Sequence, residues 1–436
     1  QINIYLREIN NNHQMMKNIK HYFIRLNRST LFFCLEGILV ITLIQCAQIP
    51  EKQEIENIEL VQKDIPEAND KRIPLSLGIE RTELYQKALL SRRVGVVSNQ
   101  TGMIGDVHLV DTLLGMGINV TKVFAPEHGF RGKADAGEHV STTTDTKTGL
   151  PIMSLYGNTK KPSKEMMSGL DVMIFDIQDV GVRFYTYIST LHYVMEACAE
   201  ENIPLIVLDR PNPNAHYIDG PVLEMSQTSF VGMHPVPVVY GMTIGEYGQM
   251  INGEGWLPNN LKCDLTVITM SGYWRNMNYS LPVAPSPNLR TDESIQLYPS
   301  LCFFEGTSVS VGRGTETPFE IYGHPNFPKT DFSFTPISSE GAKHPLLENK
   351  LCNGFNLHDA GMKRAIKLDL SYLIEAQNLL QGKAEFITSA SFFNKLAGNT
   401  ILLEQIQNGI SEEEIRETWQ ANLDVFKIKR AKYLLY

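Results

Sequence analysis

An α/β fold is predicted, with a Rossmann-like parallel-sheet domain followed by a second, α+β auxiliary domain. Three observations predict it. Apolar runs of strand length alternate with stretches of helical spacing through the first half of the chain. The runs are apolar at consecutive positions rather than alternate ones, the mark of strands buried on both faces under helices. Each run ends in polar or glycine-rich residues, where sheets of this kind bind their ligands.

The elements follow in order. "RRVGVVSNQTG" is a strand that ends in a turn, and "HLVDTLLGMG" has helical spacing and a glycine stop. "NVTKVFAPEHG" is the next strand, and "DVMIFDIQDVG" is a strongly apolar one that ends in acids and glycine. "YTYISTLHYVMEACAEEN" is a long helix, and "IPLIVLDRPNPN" is another strand with a polar end. Residues 73–262 are therefore expected to form the Rossmann-like domain. "CDLTVITMSGYWR" contains a further strand, the segment from Ala284 to Gly323 is loop-rich, and "LDLSYLIEAQNLLQG" and the stretch from Ser411 are amphipathic helices. Residues 263–436 are expected to form the auxiliary domain that closes over a cleft.

The rest of the chain bounds the answer. A hydrophobic content of 43% in 436 residues allows a sizeable core, and a net charge of -9 argues against a nucleic-acid footprint, which needs a basic face. The chain opens with Gln, and Met15 or Met16 reads as a start. A basic segment from Met16 and an apolar run from Ser29 to Cys46, interrupted by Glu36, read as an export signal. Residues 1–46 are thus a leader. Lipid attachment at Cys46, giving a membrane-anchored periplasmic protein, stands beside a plain signal as the alternative. Residues 47–72 are charged, with few large apolar residues, and suit a linker. Cys198, Cys263, Cys302 and Cys352 show no metal spacing and sit in apolar runs, so buried thiols are expected.

The polar strand ends collect Asn99, Glu127, His128, Arg131, Asp176, Asp179, Arg183, Tyr185, Asp209, Arg210 and Asn212. Four successive polar ends suggest one shared cleft. No GxGxxG follows the first strand: the "GRG" at Gly312–Gly314 comes late, so no dinucleotide is implied. "EHGFRGKADAGEH" offers Glu127, His128, Asp135, Glu138 and His139 but no recognised ligand spacing, and no metal or other cofactor is expected. A serine hydrolase would want GxSxG, which is absent.

Carboxylate chemistry fits better. A glycosidase needs an acid for the leaving oxygen and a second group across the sugar. Glu127 follows an apolar strand and a proline, a setting that suits a carboxyl acid; pairing with Arg131 is the structural alternative. Asp176 and Asp179 are options for a second carboxylate, or caps of the following segment. Arg183 and Arg313 suit an anionic substrate, since guanidinium grips carboxylate with two parallel bonds. Their alternative is pairing with Asp179 or Glu316. Tyr185 stands near the expected mouth of the cleft.

A run of motifs then adds a resemblance. "GVVSNQTG", "VFAPEHGFRG", "TGLPIMSLYG", "FDIQDVGVRFYTYISTL", "VLDRPNPN", "SFVGMHPVPVVYGMTIGEY", "YPSLCFFEGT", "SVGRGTETPFEIYG" and the closing "WQANLDVFKIKRAKYLLY" follow one another over residues 74–436. In that order they resemble the exo-β-N-acetylmuramidase family. The resemblance implies a Rossmann-like catalytic domain joined to an auxiliary domain, and removal of N-acetylmuramic acid from the non-reducing ends of peptidoglycan fragments. It makes Glu127 the leading catalytic residue, with a tyrosine as one option for the second group. In "SPNLRT", Arg290 stands where the family more often has proline, which bears on the loop shape there. Another cell-wall hydrolase, an amidase or esterase, and a non-catalytic muropeptide-binding lipoprotein remain as alternatives. Nothing in the sequence sets the oligomeric state.

Overall fold

The computed structural model describes residues 73–127, 129–130, 143–157 and 159–436. The expected leader, Cys46 and the linker lie outside the described residues, as do His128, Arg131, Asp135, Glu138 and His139.

From Arg72 to Tyr436 the chain forms one compact unit. Helix α1 (Thr82–Leu89) leads into β1 (Val94–Ser98), and a short hairpin, β2 (Met103–Ile104) and β3 (Val107–His108), leads into α2 (Leu109–Gly115). Then come β4 (Val120–Ala125), β5 (Thr143–Thr144), β6 (Pro151–Ser154), α3 (Lys164–Met167), β7 (Val172–Asp176), α4 (Tyr187–Glu201), β8 (Leu205–Leu208), α5 (Ile244–Gly253) and β9 (Leu265–Ile268). Seven strands form one sheet in the order β5-β6-β4-β1-β7-β8-β9, parallel except for β5 against β6. Without the edge strand β5, this is the strand order of the doubly wound dinucleotide-binding fold, reversing direction at β1.

Unalternated apolar strands are explained by two cores. Val94, Val96, Val172 and Ile174 pack on one face with Leu109 and Leu113 of α2. Val97, Met173 and Phe175 pack on the other with Leu191 and Met195 of α4 and Tyr247 and Ile251 of α5. Every residue of β1 and β7 is buried.

One boundary needs correction. Strand β9 belongs to the sheet yet lies beyond residue 262, inside the segment assigned above to the auxiliary domain. It is an edge strand with mixed burial, so its pattern is weaker than that of the central strands.

The remainder is α6 (Asp292–Leu301), β10 (Ile321–His324), β11 (Phe332–Phe334), β12 (Cys352–Asn356), α7 (His358–Gly361), α8 (Ser371–Leu380), α9 (Ala390–Ala397), α10 (Ile401–Gln407) and α11 (Glu412–Ala431). The three strands form an antiparallel sheet, β10-β12-β11. Helix α11 is held by its ends. Ser411 and Glu414 cap it reciprocally, acids fill its first turn, and Lys429 and Arg430 fill its last. It returns the chain to the sheet, where the Tyr436 hydroxyl donates to Asp209 Oδ2 at 2.7 Å. Core residues of this second part, such as Leu301, Phe303 and Phe393, are continuous with those under α4. Cys198, Cys263, Cys302 and Cys352 are free and buried, as expected. No helix among the described residues is long and apolar enough to cross a membrane.

Candidate active site

A cleft of about 350 Å³ opens where β4, β6 and β7 end. Residues following those strands line one side, Glu127, Tyr156, Lys160, Tyr185, Thr186 and Tyr187 among them. Tyr298, Glu305, Arg313 and Phe319 line the other, from the second part of the chain. The cleft thus lies beside β1, where the strand order reverses, as the fold requires of its ligand sites.

Glu127 is half-buried just past the end of β4. Its Oε2 accepts from the Thr186 hydroxyl at 2.9 Å. Thr186 is the N-cap residue just ahead of α4, so the carboxylate sits at the N-terminal end of a 15-residue helix. Two apolar strands that neighbour β1 on either side supply these two residues, and this fixes the carboxylate in the mouth of the cleft.

The phenols beside it are set from below. Asn99 Nδ2 donates to the Tyr187 hydroxyl at 2.9 Å, and Asn99 Oδ1 accepts from the Thr101 amide and hydroxyl at 3.0 and 2.6 Å. Asn99 is therefore a positioning residue behind the cleft, not a substrate contact. Tyr185 packs edge-on to Tyr187, with ring centroids 4.9 Å apart, and its hydroxyl has no hydrogen-bond partner among the described residues. Burial holds the Tyr185 phenol well above its ordinary pKa. Burial and then the Glu127 charge push Tyr187 the same way.

Most of the other polar residues at the strand ends turn out to be scaffolding. Asp176 is fully buried and takes two bonds from Arg210, from Nε at 2.6 Å and Nη2 at 3.0 Å. Neither lines the cleft, which corrects the catalytic reading of Asp176 and the substrate reading of Arg210. Asp179 accepts from the Gly181 amide at 2.7 Å and from the Tyr240 hydroxyl. Asp209 accepts from the Thr243 hydroxyl and the Gly245 amide, both at 2.8 Å, and so ties α5 to β8. Asn212 donates to the Met242 carbonyl at 2.7 Å and accepts from the Asn214 amide at 2.8 Å. All three are buried loop braces.

Arg183 is the largest correction. Its guanidinium is fully buried and donates to four backbone carbonyls, those of Pro221, Val236, Leu396 and Ala397, at 2.7–2.9 Å. Leu396 and Ala397 close α9, whose last carbonyls have no partner inside the helix. A cation there caps the negative end of the helix. No substrate reaches it.

Arg313 does line the cleft. Its partner is Glu305, not Glu316: Nε and Nη2 donate to Glu305 Oε1 at 2.8 and 2.5 Å. Glu316 is exposed and away from the lining. Lys160, Thr186, Tyr187 and Glu305 are among the cleft residues that the sequence reading did not assign to the site. No motif marks Lys160, and Glu305 sits in a loop-rich stretch whose pairings only the fold reveals.

The braces carry a pH signature. Burial pushes the Asp209 carboxyl up to about 6, against about 3.9 for an unfolded aspartate. The folded chain then binds this proton more tightly than the unfolded one. Stability from this group falls as pH rises through about 4 to 6, and is lowest once both states are ionised. Asp209→Asn should therefore compare less favourably with wild type at pH 4 than at pH 7, by on the order of 2 kcal/mol. Thermal unfolding of both proteins at the two pH values measures it; a pH-independent difference contradicts the assignment.

A doubly wound sheet whose reversal point carries a cleft lined by two carboxylates, four phenols, an arginine and a lysine has the layout of an enzyme of this fold class. The profile of the exo-β-N-acetylmuramidase NamZ N-terminal domain matches residues 94–293, and that of the C-terminal domain matches residues 296–436. The chain belongs to this family. It is 42% identical over 378 residues to the peptidoglycan β-N-acetylmuramidase NamZ of Bacillus subtilis (strain 168), which covers 81% of this chain and 89% of the relative. Two solved structures of DUF1343 family proteins from Bacteroides fragilis NCTC 9343 are similar. One is 46% identical with a TM-score of 0.76, over 84% of this chain and 99% of the other. The second is 29% identical with a TM-score of 0.71, over 84% and 100%. The junction between the two profiles falls after β9, in keeping with the sheet.

Proposed function

We propose that this chain is an exo-acting β-N-acetylmuramidase, a glycosidase that releases N-acetylmuramic acid from the non-reducing ends of peptidoglycan fragments. The observation that carries the reading is Glu127, a carboxyl group presented into an aromatic-lined cleft of sugar size, in a chain of this family. Glu127 donates its proton to the glycosidic oxygen as the bond to the anomeric carbon breaks, a water molecule adds its oxygen to that carbon, and the proton the water gives up restores the carboxyl group by way of solvent. Thr186 holds the carboxyl group in line through its hydroxyl. Tyr185 lines the cleft and Tyr187 packs edge-on behind it, so the two rings form part of the wall beside the pyranose ring.

The same reading puts the enzyme in the periplasm, free or held by a lipid on Cys46. The basic segment and apolar run ahead of residue 46 support it, and fractionation of cells expressing the tagged full chain tests it.

A chromogenic β-N-acetylmuramic acid glycoside tests the activity. Wild-type protein should release both chromophore and free sugar, and should cleave the N-acetylglucosamine glycoside at least tenfold more slowly. Binding of muropeptides without any release would make the chain a binding protein. Release of peptide or acyl groups instead would make it an amidase or esterase.

A further inference from the structure

We infer that Lys160 is the residue that selects muramic acid, its ammonium binding the carboxylate of the sugar's lactyl ether. The inference rests on the muramidase reading and names a specificity residue within it.

Muramic acid differs from glucosamine by that one ether, so a positive group at the cleft would tell the two apart. Three described cations come into question, and the geometry removes two. Arg183 is sealed under four carbonyls. Arg313 lines the cleft, but its charge is met by Glu305 at 2.5 Å and its fork is turned to that carboxylate. Lys160 lines the cleft and has no carboxylate partner among the described residues. Its neighbour Lys161 shows the contrast. That ammonium is bound to both Glu196 and Glu200 on α4, at 2.7 Å each.

The ammonium of Lys160 is also placed. It lies 4.4 Å from the centroid of the Phe230 ring, itself part of the cleft lining. Phe230 is in turn fixed, stacked on Tyr193 at 6.2 Å and held through its carbonyl by the Ser189 hydroxyl at 2.7 Å. An aromatic face steadies a cation without neutralising it, so the charge stays available to an anion. Lys160 follows β6, which pairs with the β4 that carries Glu127 past its end. The acid and the cation thus leave adjacent strand ends and reach one cleft.

The test crosses the protein change with the substrate change. Wild type, Lys160→Met and Lys160→Gln are assayed on the chromogenic muramic acid glycoside, on its lactyl methyl ester, and on the glucosamine glycoside. A charge-assisted contact gives wild type roughly a ten- to a hundredfold loss in kcat/KM on esterification. Both variants should be slower by the same factor on the free acid and indifferent to esterification. Salt should narrow the wild-type preference and leave the variants alone. Lys160 is half-exposed, so unchanged thermal unfolding confirms that the variants fold. Variants that keep the wild-type response to esterification overturn the inference. Wild type that cleaves no muramic acid glycoside overturns the muramidase reading instead, and the two failures are distinct.

Discussion

Glu127→Gln should lower glycoside cleavage by roughly 10²–10⁴-fold and leave the fold intact. Glutamine keeps the size of the side chain and can still accept from the Thr186 hydroxyl through its amide oxygen, so the bond at 2.9 Å survives. What it lacks is the proton. Breaking a glycosidic bond without protonation expels an alkoxide, and the barrier to that step is what the acid lowers. Two controls sharpen the result. A substrate with a good leaving group, such as a dinitrophenyl glycoside, needs little protonation, and the variant should regain most of its rate on it. The variant should also bind N-acetylmuramic acid with wild-type affinity, since the loss lies in a step and not in the cleft. A variant that keeps more than a tenth of the wild-type rate on an alkyl glycoside removes Glu127 from the acid role.

Arg183→Met should be the most destabilising single change in the described chain, on the order of 4 kcal/mol, because four buried carbonyls lose their donors together. Methionine fills much of the volume, so the loss is of hydrogen bonds and charge rather than of packing. Arg183→Lys should fall between the two: an ammonium has three donors and cannot span four acceptors. The packing leaves no room to adjust, since a methyl group built on Gly398 would lie 2.6 Å from Arg183 Nη2. Denaturant unfolding measures the loss. If Arg183→Met unfolds like wild type but discriminates poorly between muramic acid and glucosamine glycosides, Arg183 is a substrate residue after all and the scaffold assignment is wrong.

These two residues show what the sequence made legible. The central strands β1, β7 and β8 could be read because burial on both faces leaves them apolar at consecutive positions, and β4 because its last three residues, Val123, Phe124 and Ala125, are. Helices α4 and α11 could be read from their spacing. Strands β5 and β6 could not: β5 is two exposed residues at the sheet edge, and β6 is four residues long, only alternately buried and opened by Pro151. The site divides the same way. Glu127 was legible because a carboxyl after an apolar strand, a proline and a glycine has few structural uses. Arg183, Arg210 and Asp176 looked equally functional, because residue type alone does not separate a buried brace from a ligand contact. Burial does, and burial depends on which loops cross above the strand ends. Arg313 lines the cleft, but its partner lies eight positions upstream across a turn rather than in the nearer Glu316. No motif separates Lys160 from its neighbour Lys161, and only the ring of Phe230 against it and the absence of a carboxylate beside it among the described residues set it apart.

The central claim is that one terminal sugar is removed at a time by acid catalysis from Glu127. Product analysis by mass spectrometry on a defined glycan chain with N-acetylmuramic acid at its non-reducing end tests it most directly. Wild type should release N-acetylmuramic acid as a monosaccharide and leave a chain shorter by that one residue, ending in N-acetylglucosamine, and Glu127→Gln should leave the substrate intact. Disaccharides or internal fragments from wild type, or undiminished release by Glu127→Gln, would contradict the account.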